Sequence, residues 1–229
     1  MMIELIPNER AFFISELKAV VVADLHIGYE KALKSEGINV KPQTQMMIEN
    51  LRKILKDKDA DKLIILGDVK HSIGTCRDIK KLEDLDVEII VSKGNHDGGI
   101  EEMMNAKIYG SEGFTLGDYG FIHGHSWPKD EVMEKKYVFM GHLHPEIELR
   151  DSIGKIHRYP CHLVGKLTET GRKRYSGDPK IFVVAAFNPM VGSSVVDPIG
   201  PLMRNGVVGD FRVFLLNGTY LGKLEELQN

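Results

Sequence analysis

Two histidines close an apolar segment in the stretch VFMGHLHPE, which spans residues 138–146. Alternate residues of a β-strand point to the same face, so a continuing strand would place His142 and His144 side by side. Two imidazoles that share one face are costly to bury unless something binds them. The pattern leaves two interpretations open, a polar strand end in solvent or half of a metal site.

The same kind of ending recurs after four other apolar runs. Those runs are followed by Asp24-Leu25-His26, by Gly67-Asp68, by Gly94-Asn95-His96-Asp97 and by His123-Gly124-His125. In α/β sheets, ligands bind beyond the carboxyl ends of the strands, so we expect these side chains to converge. One such ending is typical of a solvated loop, but five in series favour a functional site.

The converging set offers carboxylate, amide and imidazole donors and contains no thiolate. Its members are Asp24, His26, Asp68, Asn95, His123, His142 and His144. Seven donors exceed what one tetrahedral zinc site takes, and they suit two ions, Mn²⁺ or Fe foremost, with one carboxylate bridging them. Two metals roughly 3.5–4 Å apart can clamp the attacking and leaving oxygens at phosphorus, and a hydroxide that bridges them is a nucleophile near neutral pH. The set therefore predicts hydrolysis of phosphate esters without a covalent protein nucleophile.

The elements that must position these residues alternate between strands and helices in the first half. Short strands are predicted in residues 10–15 and 18–24, a helix in 29–37 that ends at Gly37, and strands in 61–68 and 87–97. Residues 43–59 have the period of an amphipathic helix, and residues 76–85 are predicted to form another helix. The buried face of the longer helix is predicted to comprise Met46, Met47, Leu51, Ile54 and Leu55. This alternation predicts an α/β domain with parallel neighbouring strands.

The second half is predicted to be rich in antiparallel strands. Hairpins are expected to turn at Gly117-Asp118 and at Asn217-Gly218, with further strands in residues 136–150 and 180–187. Residues 187–210 are rich in Gly, Pro, Asn and Ser and are predicted to form a long irregular loop. Such a loop serves either as a lid or as plain variable surface.

The bulk properties of the 229-residue chain are those of a globular protein, with 42% hydrophobic and 28% charged residues. The formal net charge of -3 excludes a global basic field that would attract nucleic acid. One local basic stretch, residues 158–174, could follow a phosphate backbone or be a solvated face. Its basic members are Arg158, Lys166, Arg172, Lys173 and Arg174.

Cysteine use and hydropathy bear on the compartment. Cys76 and Cys161 are far apart and form no CxxC motif, which is typical of reduced thiols in a cytoplasmic protein. The first residues lack the long apolar segment of a signal peptide, and no run approaches the roughly 20 apolar residues of a membrane helix. A cytoplasmic protein without a membrane segment is therefore expected.

The motifs D-x-H, G-D, G-N-H-D, H-G-H and G-H-x-H, in this order between Ala23 and Pro145, resemble those of the calcineurin-like metallophosphoesterase superfamily. The resemblance implies an α/β fold, a four-layer αββα sandwich of two mixed β-sheets flanked by helices, in a single domain over residues 1–229. The longer segments ADLHIGYE, LGDVKH, GNHDGGIE, MGHLHP and VAAFNPMVG resemble the archaeal SbcD-related group and the bacterial ligase-associated metallophosphoesterases.

The superfamily resemblance also implies how the donors divide between two metals. The implied ligands of the first metal are Asp24, His26 and His144. Those of the second metal are Asn95, His123 and His142, and Asp68 would bridge the two. His142 and His144 are thereby assigned to different metals.

Further roles follow for residues beside the ligands. His96 resembles the superfamily's phosphate-contacting histidine and is a candidate general acid, with Asp97 orienting its ring, while His125 is expected outside the ligand set. Many members carry another acidic residue after the G-D motif, where this chain continues with Val69 and then Lys70-His71. Lys70 and His71 are therefore candidates to bind substrate phosphate, with a solvated loop as the alternative.

The implied activity is a dinuclear metal-dependent phosphoesterase that hydrolyses phosphodiesters in DNA or RNA. Mn²⁺ is the expected metal, with Fe, Zn, Ni and Co as alternatives. The alternatives in function are a phosphodiesterase or phosphatase for a small nucleotide and a non-catalytic scaffold of the same fold, which has no need of seven ligands. The group resemblance further raises DNA-repair enzymes as partners, while the sequence leaves the oligomeric state open, with a homodimer as one candidate.

Overall fold

Two β-sheets pack face to face, and helices cover the outer side of each, in this computed structural model, which describes residues 2–71, 76–192 and 199–227. The resulting order of layers is helices, sheet, sheet, helices. This arrangement confirms the predicted four-layer α/β sandwich.

The first sheet has six strands in sequence order. They are β1 (Ile3–Leu5), β2 (Phe12–Ile14), β3 (Ala19–Val22), β4 (Lys62–Ile65), β5 (Glu88–Ser92) and β6 (Lys107–Tyr109). The pairs from β3 to β6 are parallel, whereas β1, β2 and β3 pair antiparallel. The carboxyl ends of β3, β4 and β5 therefore meet at one edge, as the alternation of strands and helices predicts.

Helices cover the outer face of the first sheet. They are α1 (Tyr29–Ser35), α2 (Gln43–Asp57) and a 3₁₀ segment (Arg77–Leu85), with shorter 3₁₀ segments at Ser15–Leu17 and Ile100–Glu102. The predicted buried face of α2 is wrong at Met46, which is 48% exposed, while Ile48 is buried. A 100° step per residue puts Ile48, one position after Met47 and three before Leu51, on the inward side.

The second sheet has eight strands, seven of which follow one another in a mixed order. They are β7 (Phe114–Leu116), β8 (Tyr119–Ile122), β9 (Tyr137–Met140), β11 (Ile156–Leu167), β12 (Lys180–Val183), β13 (Val208–Leu215) and β14 (Tyr220–Lys223), while β10 (Glu146–Arg150) pairs with β11 beside them. The order across the sheet is β14-β13-β11-β12-β9-β8-β7. Both predicted hairpins are confirmed. The expectation of antiparallel pairing is wrong for β8–β9 and β9–β12, which are parallel.

Short helices cover the outer face of the second sheet. They are α3 (Asp130–Met133), α4 (Glu169–Arg174), α5 (Gly200–Arg204) and α6 (Leu224–Leu227). The predicted irregular loop 187–210 is therefore wrong where α5 forms and where β13 begins, while its residues 193–198 lie outside the described part of the chain. Among the described residues, no helix combines the length and apolarity that a bilayer crossing requires.

An apolar core holds the inner faces of the two sheets together. Phe12 of the first sheet meets Phe139 and Phe182 of the second, and the latter two rings stack with centroids 4.8 Å apart. Burying large aromatic side chains is among the strongest contributions to such packing. The docking of the sheets brings the strand ends of β3, β4 and β5 to those of β8 and β9.

Candidate metal centre

The predicted donors converge at the edge where strands of both sheets end. Asp24 and His26 follow β3, Asp68 follows β4 and Asn95 follows β5. The three remaining donors come from the second sheet. They are His123 after β8, and His142 and His144 after β9.

The donors form two adjacent groups of three. In the first, donor atoms of Asp24, His26 and His144 lie within 4.8 Å of one another. The second group has the same property. It comprises Asp68, His123 and His142. The division matches the implied division between two metals, although the ligand roles themselves stay predictions.

Asp68 is the member of the second group that also lies close to the first group. Its Oδ2 is 3.5 Å from His26 Nε2 in the first group and 3.5 Å from His123 Nε2 in the second. Asn95 belongs beside the second group, since its Oδ1 lies 3.2 Å from His123 Nε2. A carboxylate in this position is suited to bridging two cations.

The hydrogen bonding of two histidines fits a divalent metal. His123 Nδ1 donates to the carbonyl of Leu66 at 2.7 Å. Nε2 is therefore the ring nitrogen that faces the centre and could bind a metal. Such a second hydrogen bond fixes the tautomer of a ligating histidine. His26 Nε2 is buried and has no hydrogen-bond partner among the residues that the structure describes. Buried polar atoms are rarely left unpaired, and a metal ion at this point would satisfy this one.

Burial and mutual charge set the proton affinities of the centre. Burial lowers the pKa of His26 to about 4 and that of His142 to about 4. Burial acts in the same direction on His123, but the carboxylates of Asp68 and Asp24 outweigh it and raise the pKa of His123 to about 9. Burial would raise the pKa of Asp68, yet the hydrogen bond and charge of His123 hold that pKa below its usual range. The carboxylates are thus ionised and able to bind cations.

The backbone of the centre is left-handed at five of the seven predicted ligands. They are Asp24, His26, Asp68, His142 and His144, with φ between 42° and 70°. The strand geometry of β9 therefore does not continue through the two histidines of the G-H-x-H motif. That is why His142 and His144 join different groups instead of sharing one face.

Gly94 lets the loop after β5 approach Asp68 in the loop after β4. A methyl group at this position would overlap the backbone nitrogen and the Oδ1 atom of Asp68. The Gly94 amide also donates to Asp97 Oδ2 at 2.8 Å. Only a residue without a side chain fits this contact.

His96 lies beside the first group with its ring fixed from behind. Its Nδ1 donates to the carbonyl of His71 at 2.6 Å, and its backbone amide donates to Asp68 Oδ1 at 2.9 Å. The rings of His96 and His26 have centroids 5.0 Å apart. His96 is therefore close to the centre, and its second ring nitrogen, Nε2, is the one left to serve as an acid.

The His71 carbonyl holds the His96 ring directly, so the orienting role expected of Asp97 stays a prediction that would act through the loops. The Asp97 carboxylate accepts from three backbone amides, those of Val69 at 2.9 Å, Lys70 at 3.4 Å and Gly94 at 2.8 Å. Burial raises its pKa even though these amides stabilise the anion. Asp97 ties the loop after β5 to the loop after β4.

The two candidate substrate residues differ in their surroundings. Lys70 is fully buried and its Nζ donates to the carbonyl of His96 at 2.6 Å, and the expectation that it binds substrate phosphate stays a prediction. His71 is half-buried and forms a third close group with His26 and His96. Its candidacy stays a prediction. His125, expected outside the ligand set, has its ring 5.1 Å from that of His123.

Asn188 is a supporting residue that the sequence reasoning missed. This fully buried side chain donates from Nδ2 to the carbonyl of Leu25 at 3.0 Å, inside the Asp24-Leu25-His26 turn. The adjacent amide of Phe187 donates to the carbonyl of Ala23 at 2.7 Å. The only available signal was its place in the segment VAAFNPMVG, which carries no donor pattern of its own.

The basic stretch 158–174 does not form one surface. Arg158 pairs with Glu148 across the β10–β11 hairpin, and Lys166 pairs with Asp210. Arg172, Lys173 and Arg174 instead lie on α4. Whether these residues contact a phosphate backbone or form a solvated face stays open.

Comparisons with known proteins agree with this geometry. A model of the calcineurin-like phosphoesterase superfamily domain matches residues 17–171. The solved structure of a nuclease, MPE of Pseudomonas putida, shares 21% identity and a TM-score of 0.62, covering 93% of this chain and 91% of that one. YfcE, a phosphoesterase of E. coli, shares 14% identity and a TM-score of 0.48, covering 90% and 97%. A comparison with curated proteins found no significant match.

Proposed function

The chain belongs to the calcineurin-like phosphoesterase superfamily and is a hydrolase of phosphate esters, and from this premise we propose that it is a dinuclear metal-dependent phosphodiesterase that acts on nucleic acid. The observation that carries the proposal is the position of Asp68. Its carboxylate belongs to the second donor group, with His123 and His142, and its Oδ2 also lies 3.5 Å from His26 Nε2 of the first group, the same distance as from His123 Nε2.

The donor groups would hold two divalent ions, Mn²⁺ foremost, with Asp68 shared between them. When bound, such ions lower the pKa of water and neutralise charge that develops on the phosphoryl oxygens. The carboxylates of Asp24 and Asp68 supply the negative charge, and the neutral imidazoles of His26 and His142 supply nitrogen donors. Carboxylate and imidazole together suit ions between hard and soft.

His96 would protonate the leaving oxygen. With Nδ1 donating to the His71 carbonyl, Nε2 of the protonated ring carries the transferable proton. Water adds to phosphorus and releases one proton to solvent, the phosphorus–oxygen bond to the leaving alcohol breaks, and that oxygen takes the Nε2 proton. A proton from solvent then restores the His96 ring. Because the ring is already oriented, less conformational entropy is lost when the acid is brought to the leaving oxygen in the transition state.

Nucleic acid is proposed as the substrate from the resemblance of the longer sequence segments. The Pseudomonas putida protein of similar fold is described as a nuclease. A small nucleotide is the second candidate, favoured by the net charge of -3 and by the division of the basic stretch between separate elements. Both candidates are phosphodiesters, so one activity panel separates them.

The proposal is tested by a panel of substrates with metal depletion. We expect activity on bis-p-nitrophenyl phosphate and on single-stranded DNA or RNA to exceed that on p-nitrophenyl phosphate, to vanish after dialysis against EDTA and to return with Mn²⁺. Hydrolysis of cyclic or linear dinucleotides alone would favour the small-nucleotide candidate. Full activity after exhaustive metal removal would contradict the proposal.

Asp68→Asn is expected to weaken both metal sites together, because it removes the negative charge of the one ligand that the two cations would share. Metal content after gel filtration and isothermal titration with Mn²⁺ would measure this. Asp84→Asn, which changes an exposed aspartate of the 3₁₀ segment, is the matched control. Loss of one ion with the other retained at full affinity would show that Asp68 does not bridge.

A further inference from the structure

A cavity of about 590 Å³ opens directly beside the second donor group. His142 and His125 form its inner wall, and Trp127 and Arg204 line it farther out. Its volume lies within the roughly 300–1,000 Å³ of small-molecule sites. A substrate held at the metal centre can therefore extend into this space.

Trp127, the sole tryptophan of the chain, presents an aromatic surface in this cavity. Its side chain remains 37% exposed, although indole rings usually contribute to a core. The guanidinium of Arg174 from α4 lies 3.9 Å from the centre of the ring. This cation–π contact holds the indole in place and brings a positive charge next to the ring.

Helix α5 fixes the opposite wall against the metal centre. At Gly200, with φ of 74°, a methyl group would overlap the carbonyl of Gly124 and lie 3.4 Å from His142 Cδ2. Leu202 anchors the helix in the core, with 1% of its surface exposed. Arg204 at the end of the helix is exposed and reaches the same cavity. The wall is thus packed tightly onto the loop that carries His123 and His125.

We propose that this cavity is a nucleobase subsite, in which a base next to the scissile phosphate stacks on Trp127 while Arg204 and Arg174 contact neighbouring phosphates. The inference rests on the proposed phosphodiesterase function and narrows its substrate to single-stranded nucleic acid. Bases of a duplex are stacked on one another, whereas an unpaired base can leave its neighbours for an aromatic side chain.

The combination of groups favours this occupant. A flat aromatic surface flanked by two arginines matches a ligand that alternates planar bases with anionic phosphates. Two exposed cations disfavour a wholly apolar or cationic ligand. A phosphopeptide would also bring an anion to the metals, and it enters as a competing arm of the test.

Base-dependent binding is measured without hydrolysis, on metal-free protein. Wild-type protein is titrated with a fluorescein-labelled oligothymidylate and with an oligonucleotide of the same length whose bases are absent. We expect the base-bearing strand to bind about ten-fold or more tightly and to change the emission of the sole tryptophan, since stacking on one aromatic ring has that order of effect. Equal binding of the two strands would overturn the proposal.

Variants test whether the preference for a base-bearing strand arises at Trp127 in the cavity. Trp127→Ala is expected to bring the ratio of the two dissociation constants close to one, and Trp127→Phe to restore part of it. Tyr220→Ala removes an exposed aromatic ring on β14 and should retain the wild-type ratio. Arg204→Ala is expected to weaken binding of both strands, whereas Arg212→Ala, at an exposed arginine of β13, should not. A retained ratio in Trp127→Ala would place the bases elsewhere.

The two proposals can fail separately. If base preference depends on Trp127 but no phosphodiester is cleaved with Mn²⁺, the proposed function is wrong and the subsite stands. If diesters are cleaved without base preference, the subsite is wrong and the function stands. Tighter binding of a phosphoserine peptide than of the oligothymidylate would also overturn the nucleobase assignment.

Discussion

Aspartate and histidine hold left-handed backbone conformations throughout the metal centre, where most residues avoid them. Each such position costs on the order of 1 kcal/mol or more, and it persists only where the surroundings enforce it. Here the enforcing contacts are local, such as the amide of His142 donating to Asp24 Oδ2 at 3.0 Å. The donor geometry is thus held by contacts among the protein's own groups, at the expense of stability.

His96→Ala is expected to retain the fold and both metals but to lower kcat by roughly 10²–10⁴-fold on a diester with an alkoxide leaving group, because a positioned acid contributes about that factor. The loss should be much smaller on a p-nitrophenyl ester, whose leaving group departs without a proton. Steady-state kinetics on the two ester types and metal analysis measure this. Equal losses on both, or loss of a metal, would refute the general-acid role.

Asp97→Asn is expected to act through the loops and not through the acid. The amide that replaces Oδ2 would place a donor against the Gly94 amide, leaving buried groups unpaired at about 1–3 kcal/mol. We therefore expect a lower free energy of unfolding in denaturant titration and similar kcat losses for both leaving groups. An effect confined to alkoxide leaving groups would instead support the orienting role.

At the scale of elements, the ends of the strands determine where the donors lie. Gly94 determines how closely the loop after β5 approaches Asp68. Gly94→Ala is expected to push the loop after β5 away from Asp68, with overpacking of about 1–3 kcal/mol and weaker binding of both metals. Thermal unfolding and Mn²⁺ titration report the two effects. Gly98→Ala, in the same loop with open space around it, is the matched control. Unchanged metal affinity in Gly94→Ala would show that the loop adapts.

The sequence predicts elements well where one periodicity dominates and poorly where tertiary contacts decide. The apolar runs before Asp24, Asp68 and Asn95 predicted β3, β4 and β5, because buried parallel strands read as continuous apolar segments. Strand β11 was missed, since its exposed half alternates with charged residues that also suit a solvated face. The parallel pairing of β9 with β12 depends on a long connection that leaves no local trace. Likewise, Asp97 accepts hydrogen bonds from three backbone amides because the loops after β4 and β5 lie close together, which its residue type alone does not indicate.

His162 links the two sheets at the scale of the whole molecule and makes stability depend on pH. Its fully buried ring meets Phe12 with centroids 4.6 Å apart, and its Nδ1 accepts from the amide of Ala185 at 3.1 Å. Burial lowers the pKa of His162 to about 3, assisted by the charge of Arg10 and opposed by a backbone hydrogen bond of Glu9. The folded protein therefore holds this histidine neutral, whereas the unfolded chain takes up a proton near pH 6.5.

The contribution of neutral His162 to the free energy of unfolding is fully present above pH 6.5 and is lost as the pH falls from there toward 3. The loss is about 1.4 kcal/mol per pH unit for one proton. His162→Gln, which keeps an acceptor but cannot titrate, is expected to reduce this slope by one proton. Denaturant unfolding of metal-free protein between pH 7 and 4 measures it. His157→Gln, at a half-buried histidine of the β10–β11 hairpin that pairs with Asp151, is the comparison variant. An unchanged slope in His162→Gln would contradict the prediction.

The division of the donors between two sheets has a consequence for the order of folding. Residues 24–95 and residues 123–144 supply the two halves of the centre, and neither sheet alone holds all three members of either group of predicted ligands. Pairing within each sheet can precede docking of the sheets, since shorter loops close at lower entropic cost. During refolding from denaturant, recovery of metal affinity and activity is therefore expected to lag behind recovery of strand and helix signals. The centre would be the last part of the molecule to assemble.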